Sequence, residues 1–259
     1  MKGINKVSFA FLVSVLMLSA DTAWSSALII AMPNQKTELH YSKAVRLSQV
    51  LIDAHRLEPA AFTIANHLSL LDEDSKMKPE IDEVFQQLYQ RANKPNNVSL
   101  NQSSHSILEQ LKHFSYLRRL PYTLDADWAR SQISSDPILQ FKSDNPELRF
   151  QLLLTTRPTQ IRIIGAIDKP KLVSFHVHWQ LPDYLEHNQI ELLPGAKAST
   201  AFVIQPDGVV ELISYGWWNG KEVYFAPGST IFIGLRSLAS ENEDLNLQIA
   251  ELLTHKVGL

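Results

Sequence analysis

His176-Val177-His178 sets two imidazoles two residues apart, and on a strand that spacing sends both side chains to one face. Paired imidazoles can hold zinc, with Glu186 or His187 as further ligands from the next helix. The sequence has neither HExxH nor Cys, so solvated or core-edge histidines account for the pair and no metal is expected. Asp125 and Asp127 flank the end of a strand-like segment, and Asp183 and Glu186 fall on a later helix. A facing carboxylate pair is what glycoside cleavage requires, but among 27 Asp and Glu some fall together by chance. GxSxG, the P-loop and GxGxxG are all missing, and Gly195 and Gly208 stand as isolated turn glycines. No catalytic residue is assigned and no cofactor is expected.

Arg118-Arg119 precede Leu120-Pro121. One guanidinium at a strand start can hold a carboxylate or phosphate bidentately; a salt bridge between a helical insertion and the first domain would use it equally well. Trp217-Trp218 lie with Tyr215 and Tyr224 among the turn signals Gly216 and Asn219-Gly220. Indole faces stack on sugar rings, and adjacent strand positions point to opposite sides. One of the two tryptophans is therefore expected in the core and the other at an interface.

The elements that must position these groups begin after a leader. Lys2 and Lys6 precede the apolar run from Val7 to Leu18, and small residues follow at Ala23, Ser25 and Ala27. The run is 12 residues, short of the roughly 20 needed to span a bilayer, so residues 1–26 read as a cleaved secretory signal peptide. Export agrees with the lack of Cys, and no thiol is present at the cleavage region to carry a lipid. Ala27 to Met32, Pro33-Asn34 and Thr37 to Tyr41 predict a strand, turn and strand. Ser42 is placed to cap a helix running to about His55, and this hairpin followed by a helix is the opening of a β-grasp unit. From about 58 to 117 two helical stripes, Ile81–Leu88 and Ile107–Leu111, predict a helical insertion. Arg119 to Asp125 and Leu148 to Leu154 return to strand spacing, and Pro158 marks a boundary.

Beyond it, Gln160 to Ile167, Leu172 to His178, Thr200 to Gln205, Val209 to Ser214 and Thr230 to Gly234 read as strands, with a short helix over Leu181 to His187. Ser240 and Glu243 have capping-box spacing before an amphipathic C-terminal helix carrying Leu245, Ile249, Leu252 and Leu253. Hydrophobic residues make up 45% of the 259-residue chain, which excludes a disordered tail. A net charge of −3 leaves no field for nucleic acid or an anionic membrane. The reading is α+β: signal peptide at 1–26, a first β-grasp domain at 27–157 with its insertion at 58–117, a compact β-rich second domain at 158–236, and a C-terminal helix at 237–259 docked on these domains, with a partner groove or a membrane surface as the alternatives.

Arg119-Leu120-Pro121, Leu124-Asp125-Ala126-Asp127, Thr156-Arg157-Pro158 leading to Ile161–Ala166, Val203–Gly208, Trp218-Asn219, Ala226–Ser229 with Ile231–Gly234, and Leu245–Ile249 occur in this order. In order and spacing they resemble the GfcC family of capsule biosynthesis proteins. The resemblance implies a periplasmic protein with two β-grasp domains, 27–157 and 158–236, like those of outer-membrane polysaccharide export proteins, with the amphipathic C-terminal helix packed between them, working in capsule or exopolysaccharide production. It also implies that the RLP arginine, Arg119, lies in a cleft. This chain carries Arg118 where the family has a glycine, so either arginine could face it. The candidate ligand-binding residues are Arg119, Arg118, Asp125 and Trp218. The expected function is a monomeric accessory protein that binds polysaccharide or polysaccharide export proteins, without stable membrane insertion. A polysaccharide-modifying or hydrolysing enzyme with its site around Arg119 and Asp125 is the alternative, and a C-terminal helix that leaves its cleft to bridge another subunit is a third possibility.

Overall fold

The structure, a computed structural model, describes residues 27–72, 76–95, 97–140, 147–236 and 240–258. The expected signal peptide and the side chains of the expected Ser240–Glu243 capping box lie outside the described residues. The chain is α+β, with two mixed sheets that share one topology. In the first, β1 (Ala27–Met32) and β2 (Thr37–Tyr41) form an antiparallel hairpin, β6 (Glu147–Leu153) runs parallel to β1, and β4 (His67–Leu70) runs antiparallel to β6. The second repeats this with the hairpin β7 (Gln160–Gly165) and β8 (Lys171–Ser174), β11 (Thr230–Ile233) parallel to β7, and β9 (Thr200–Ile204) antiparallel to β11. An outer strand, β10 (Val210–Ser214), extends β9. Each hairpin is followed by a helix, α1 (Leu47–Leu57) in the first unit and α5 (Leu181–His187) in the second.

Period-2 patterning explains the first sheet: Leu28, Ile30 and Met32 of β1 turn to the core, where they meet Leu47, Val50, Leu51 and Ala54 of α1. Ser42 does not cap that helix. Val45–Arg46 form β3, paired with β5 (Ile138–Leu139), and α1 starts only at Leu47. Its first turn is held from elsewhere in the chain: the Asp136 carboxylate accepts from Ser48 N–H at 2.8 Å and Ser48 Oγ–H at 2.9 Å, which satisfies an otherwise orphaned helix donor.

Three further expectations change. The stretch 58–117 includes β4, so the helices are α2 (Lys78–Ala92) and α3 (Val98–Lys112). Arg119–Asp125 is extended but not a strand. Arg119 bridges Ser69, Leu120 N–H donates to Leu68 O, and Pro121, lacking an N–H, ends the pairing. Strand β8 ends at Ser174 and residues 177–178 form a turn, so His176 and His178 do not share a strand face.

The helical pair emerges from the first unit yet packs in the core of the second. Val84, Leu88, Leu100, Ile107, Leu108 and Leu111 join the cluster that contains Ile161, Phe232 and Ile233. Helix α6 (Ser240–Thr254) contributes Leu245, Ile249, Ala250, Leu252 and Leu253 to the same core and contacts α2, β9 and β10. Two buried amides fasten these helices to strand ends. Gln110 donates to Gly165 O at 2.9 Å and accepts from Gly165 N–H at 2.8 Å; Asn246 does the same with both backbone groups of Leu235, at 2.8 Å each. Gly165 sits at φ 117°, and a Cβ there would lie 2.1 Å from Ile233 O, so only glycine fits the close approach.

Candidate functional site

Arg119 lies where the two sheet units meet. Its Nη2 donates to Asn66 O at 2.8 Å, just before β4, and its Nη1 donates to Pro206 O at 2.8 Å in the turn after β9. Gly208 (φ 92°) lets that turn lie on the guanidinium, since a Cβ would stand 3.3 Å from Arg119 Cδ. The Arg119 N–H donates to His255 Nδ1 at 2.9 Å, which brings the chain end after α6 into the same joint. One residue, through its guanidinium and its backbone N–H, therefore ties together the first unit, the second unit and the C-terminal segment. Arg118 points elsewhere: it forms an exposed ion pair with Glu80 at the start of α2, which holds the Glu80 carboxyl below its usual range. Of the two arginines, Arg119 is the one that lines the cleft.

A cavity of about 580 Å³ opens beside Arg119. Its walls come from the segment before β4 (Thr63, Ile64, Asn66), the extended 119–125 segment with Trp128, the Asp207–Val209 turn, and Thr254–His255. Asp125 lines it and caps α4 (Ala126–Ser131), accepting from the N–H groups of Asp127 and Trp128 at 2.9 Å each. A second cavity of about 330 Å³ lies across Arg119, between the outer face of the first sheet and Gln205–Pro206, and is closed by Lys256–Gly258. Burial, then the Arg119 charge, pushes the His67 imidazole down to about 3. Burial, then the charges of Arg118 and Arg119, takes His255 to about 4. Both are neutral at neutral pH, as the role of His255 Nδ1 as acceptor requires. Burial, with Arg162 nearby, lowers the Lys256 ammonium to about 8.

The second surface feature is the 215–229 loop. Neither tryptophan is core: Trp217 is 93% exposed and Trp218 is 63% exposed. They occupy a tight turn in which Gly216 O accepts from Asn219 and Gly220 N–H, so strand alternation does not apply to them. The two rings meet edge to face at 5.9 Å, and Tyr224 is also exposed. Side-chain amides hold the loop that carries them. Gln180 pairs both backbone groups of Val223, and Gln205 donates to Tyr224 O and accepts from Ala226 N–H and Ser229 Oγ–H.

The remaining candidates disperse. His176 stacks on Trp179 at 4.0 Å and His187 meets the same ring at 4.7 Å. Among the described residues no group of three His, Asp or Glu could hold a metal. Asp127 pairs with Arg130, and Asp183 accepts from Gln180 N–H to cap α5; Asp183 and Glu186 do not line the cavity that holds Asp125. The Ser69 Oγ···His67 Nε2 contact of 2.8 Å has the spacing of a nucleophile and base, but Ser69 is 1% exposed and lines neither of the two cavities beside Arg119. Sequence reasoning missed Asn66, Trp128 and His255. Trp128 had one usable signal, its place after the Asp125-Ala126-Asp127 cap; the other two are brought in by tertiary contacts alone.

Residues 25–144 match the family described as Capsule biosynthesis GfcC, N-terminal, and residues 169–258 match Capsule biosynthesis GfcC C-terminal. The chain belongs to the GfcC capsule biosynthesis family. It is also similar to a protein of Escherichia coli (strain K12) described as uncharacterized protein YjbG, with 29% identity over 154 residues, 59% of each chain. The match thus spans less than two thirds of that relative.

Proposed function

We propose that this chain is a periplasmic, monomeric accessory protein of capsule or exopolysaccharide production that recognises the polysaccharide without cleaving it. The hairpin, helix and returning parallel strand of each unit are read as β-grasp modules of the kind used by outer-membrane polysaccharide export proteins. One observation carries the reading: two adjacent indoles, Trp217 and Trp218, stand in solvent on a loop fixed by paired amide hydrogen bonds. Exposed apolar surface of this kind costs free energy and has no packing role, while fixed aromatic faces suit the apolar faces of sugar rings at low entropic cost. Membership of a capsule biosynthesis family supports a saccharide as the ligand. Arg119, committed to two backbone carbonyls, joins the two modules.

The test is capture of extracted capsular or exopolysaccharide by the purified mature protein, with reducing-end analysis of the recovered polymer. Retention with unchanged chain length is expected. Shortened chains would favour the hydrolase, and capture of export proteins without polymer would move the recognised partner from glycan to protein.

A further inference from the structure

The cavity beside Arg119 joins an apolar wall to a set of carboxylates. Trp128 is half exposed on that wall, with Ile64 and Val209 also partly in solvent. The charges decide the ligand class. Asp125 and Asp207 stand against the single guanidinium of Arg119, whose two terminal nitrogens already donate to backbone carbonyls. Asp125 Oδ1 and Asp207 Oδ1 accept backbone N–H groups, and each carboxylate has a second oxygen able to accept. A wall of acceptors with an acidic balance repels a phosphate or uronate and suits a donor of several hydroxyls.

We infer that this cavity is a subsite for one neutral pyranose residue, stacked on Trp128 with ring hydroxyls donating to the Asp125 and Asp207 carboxylates. The volume of about 580 Å³ falls in the range of small-ligand pockets, roughly 300–1,000 Å³. The inference rests on the reading of the ligand as a saccharide, but it concerns a site separate from Trp217 and Trp218.

The test follows the indole N–H resonances of the full mature chain while methyl glycosides of glucose, galactose, mannose and fucose are added singly. At least one is expected to move the Trp128 resonance, and Asp207→Ala should weaken that response tenfold or more. Trp128→Ala should weaken binding of the same glycoside tenfold by calorimetry while leaving thermal unfolding unchanged. A Trp128 resonance unmoved by every glycoside at the highest soluble concentration overturns the inference, even if the protein captures polymer through Trp217 and Trp218. A Trp128 response without polymer capture supports the subsite and counts against the proposed function.

Discussion

Arg119 and Arg118 are neighbours in sequence with opposite structural uses. Arg119→Ala removes two half-buried donors that join Asn66 O to Pro206 O, and should cost about 2–4 kcal/mol in urea unfolding, since both carbonyls lose charge-assisted bonds. Arg118→Ala breaks an exposed pair with Glu80 and should cost less than about 1 kcal/mol. The histidines add a pH dependence. His67 and His255 fall to about 3 and about 4 in the fold against about 6.5 unfolded. The unfolded chain therefore binds more protons in that window, and stability rises with pH. Their contribution is complete above about pH 6.5 and is lost as pH falls toward 4 and then 3. Urea midpoints at pH 7 and pH 5 should show the loss. His255→Asn, whose amide oxygen can still accept from Arg119 N–H, should shrink it. From sequence alone the arginine pair was visible but its division of labour was not, because the deciding partners, Asn66, Pro206 and Glu80, lie 38 to 87 residues away.

The elements show which signals survive without tertiary context. β1, β2 and α5 fall where alternation and a short amphipathic run put them, because Leu28, Ile30 and Met32 face one core. β4 was missed because His67-Leu68-Ser69-Leu70 is four residues long and buries His and Ser beside Leu, which hides the alternation. The α1 start moved because Asp136, 88 residues on, supplies what Ser42 was expected to give. The amides that seat α3 and α6 were equally hidden, since Gln110 and Asn246 look like surface residues of polar helices. Asn246→Leu orphans the buried N–H and C=O of Leu235, while Gln110→Leu orphans the Gly165 N–H and leaves its C=O only the Ile167 N–H; each should destabilise by about 2–4 kcal/mol. Gly165→Ala, with its Cβ forced against Ile233 O, should be at least as damaging; denaturation curves of the three variants check this.

For the whole molecule, the chain order of the parts differs from their packing. The helices inserted in the first unit complete the core of the second, and α6 closes the same core before its end returns to pair with the first unit through Leu117 N–H to His255 O and Val257 N–H to Ser115 O. Removing the residues after Ser240 should therefore abolish cooperative unfolding instead of freeing a folded body, measured by circular dichroism on heating; a truncated chain with a sharp transition would show a detachable helix. The proposed function draws on what this frame presents, the cavity at the joint and the Trp217–Trp218 turn. The most direct measurement is calorimetric titration of purified capsular or exopolysaccharide into the mature protein and into a Trp217→Ala/Trp218→Ala variant. The wild type should bind, and the variant, with the same melting temperature, should bind at least tenfold more weakly. Equal affinity in both proteins, or no heat from the wild type, would contradict glycan recognition by this surface.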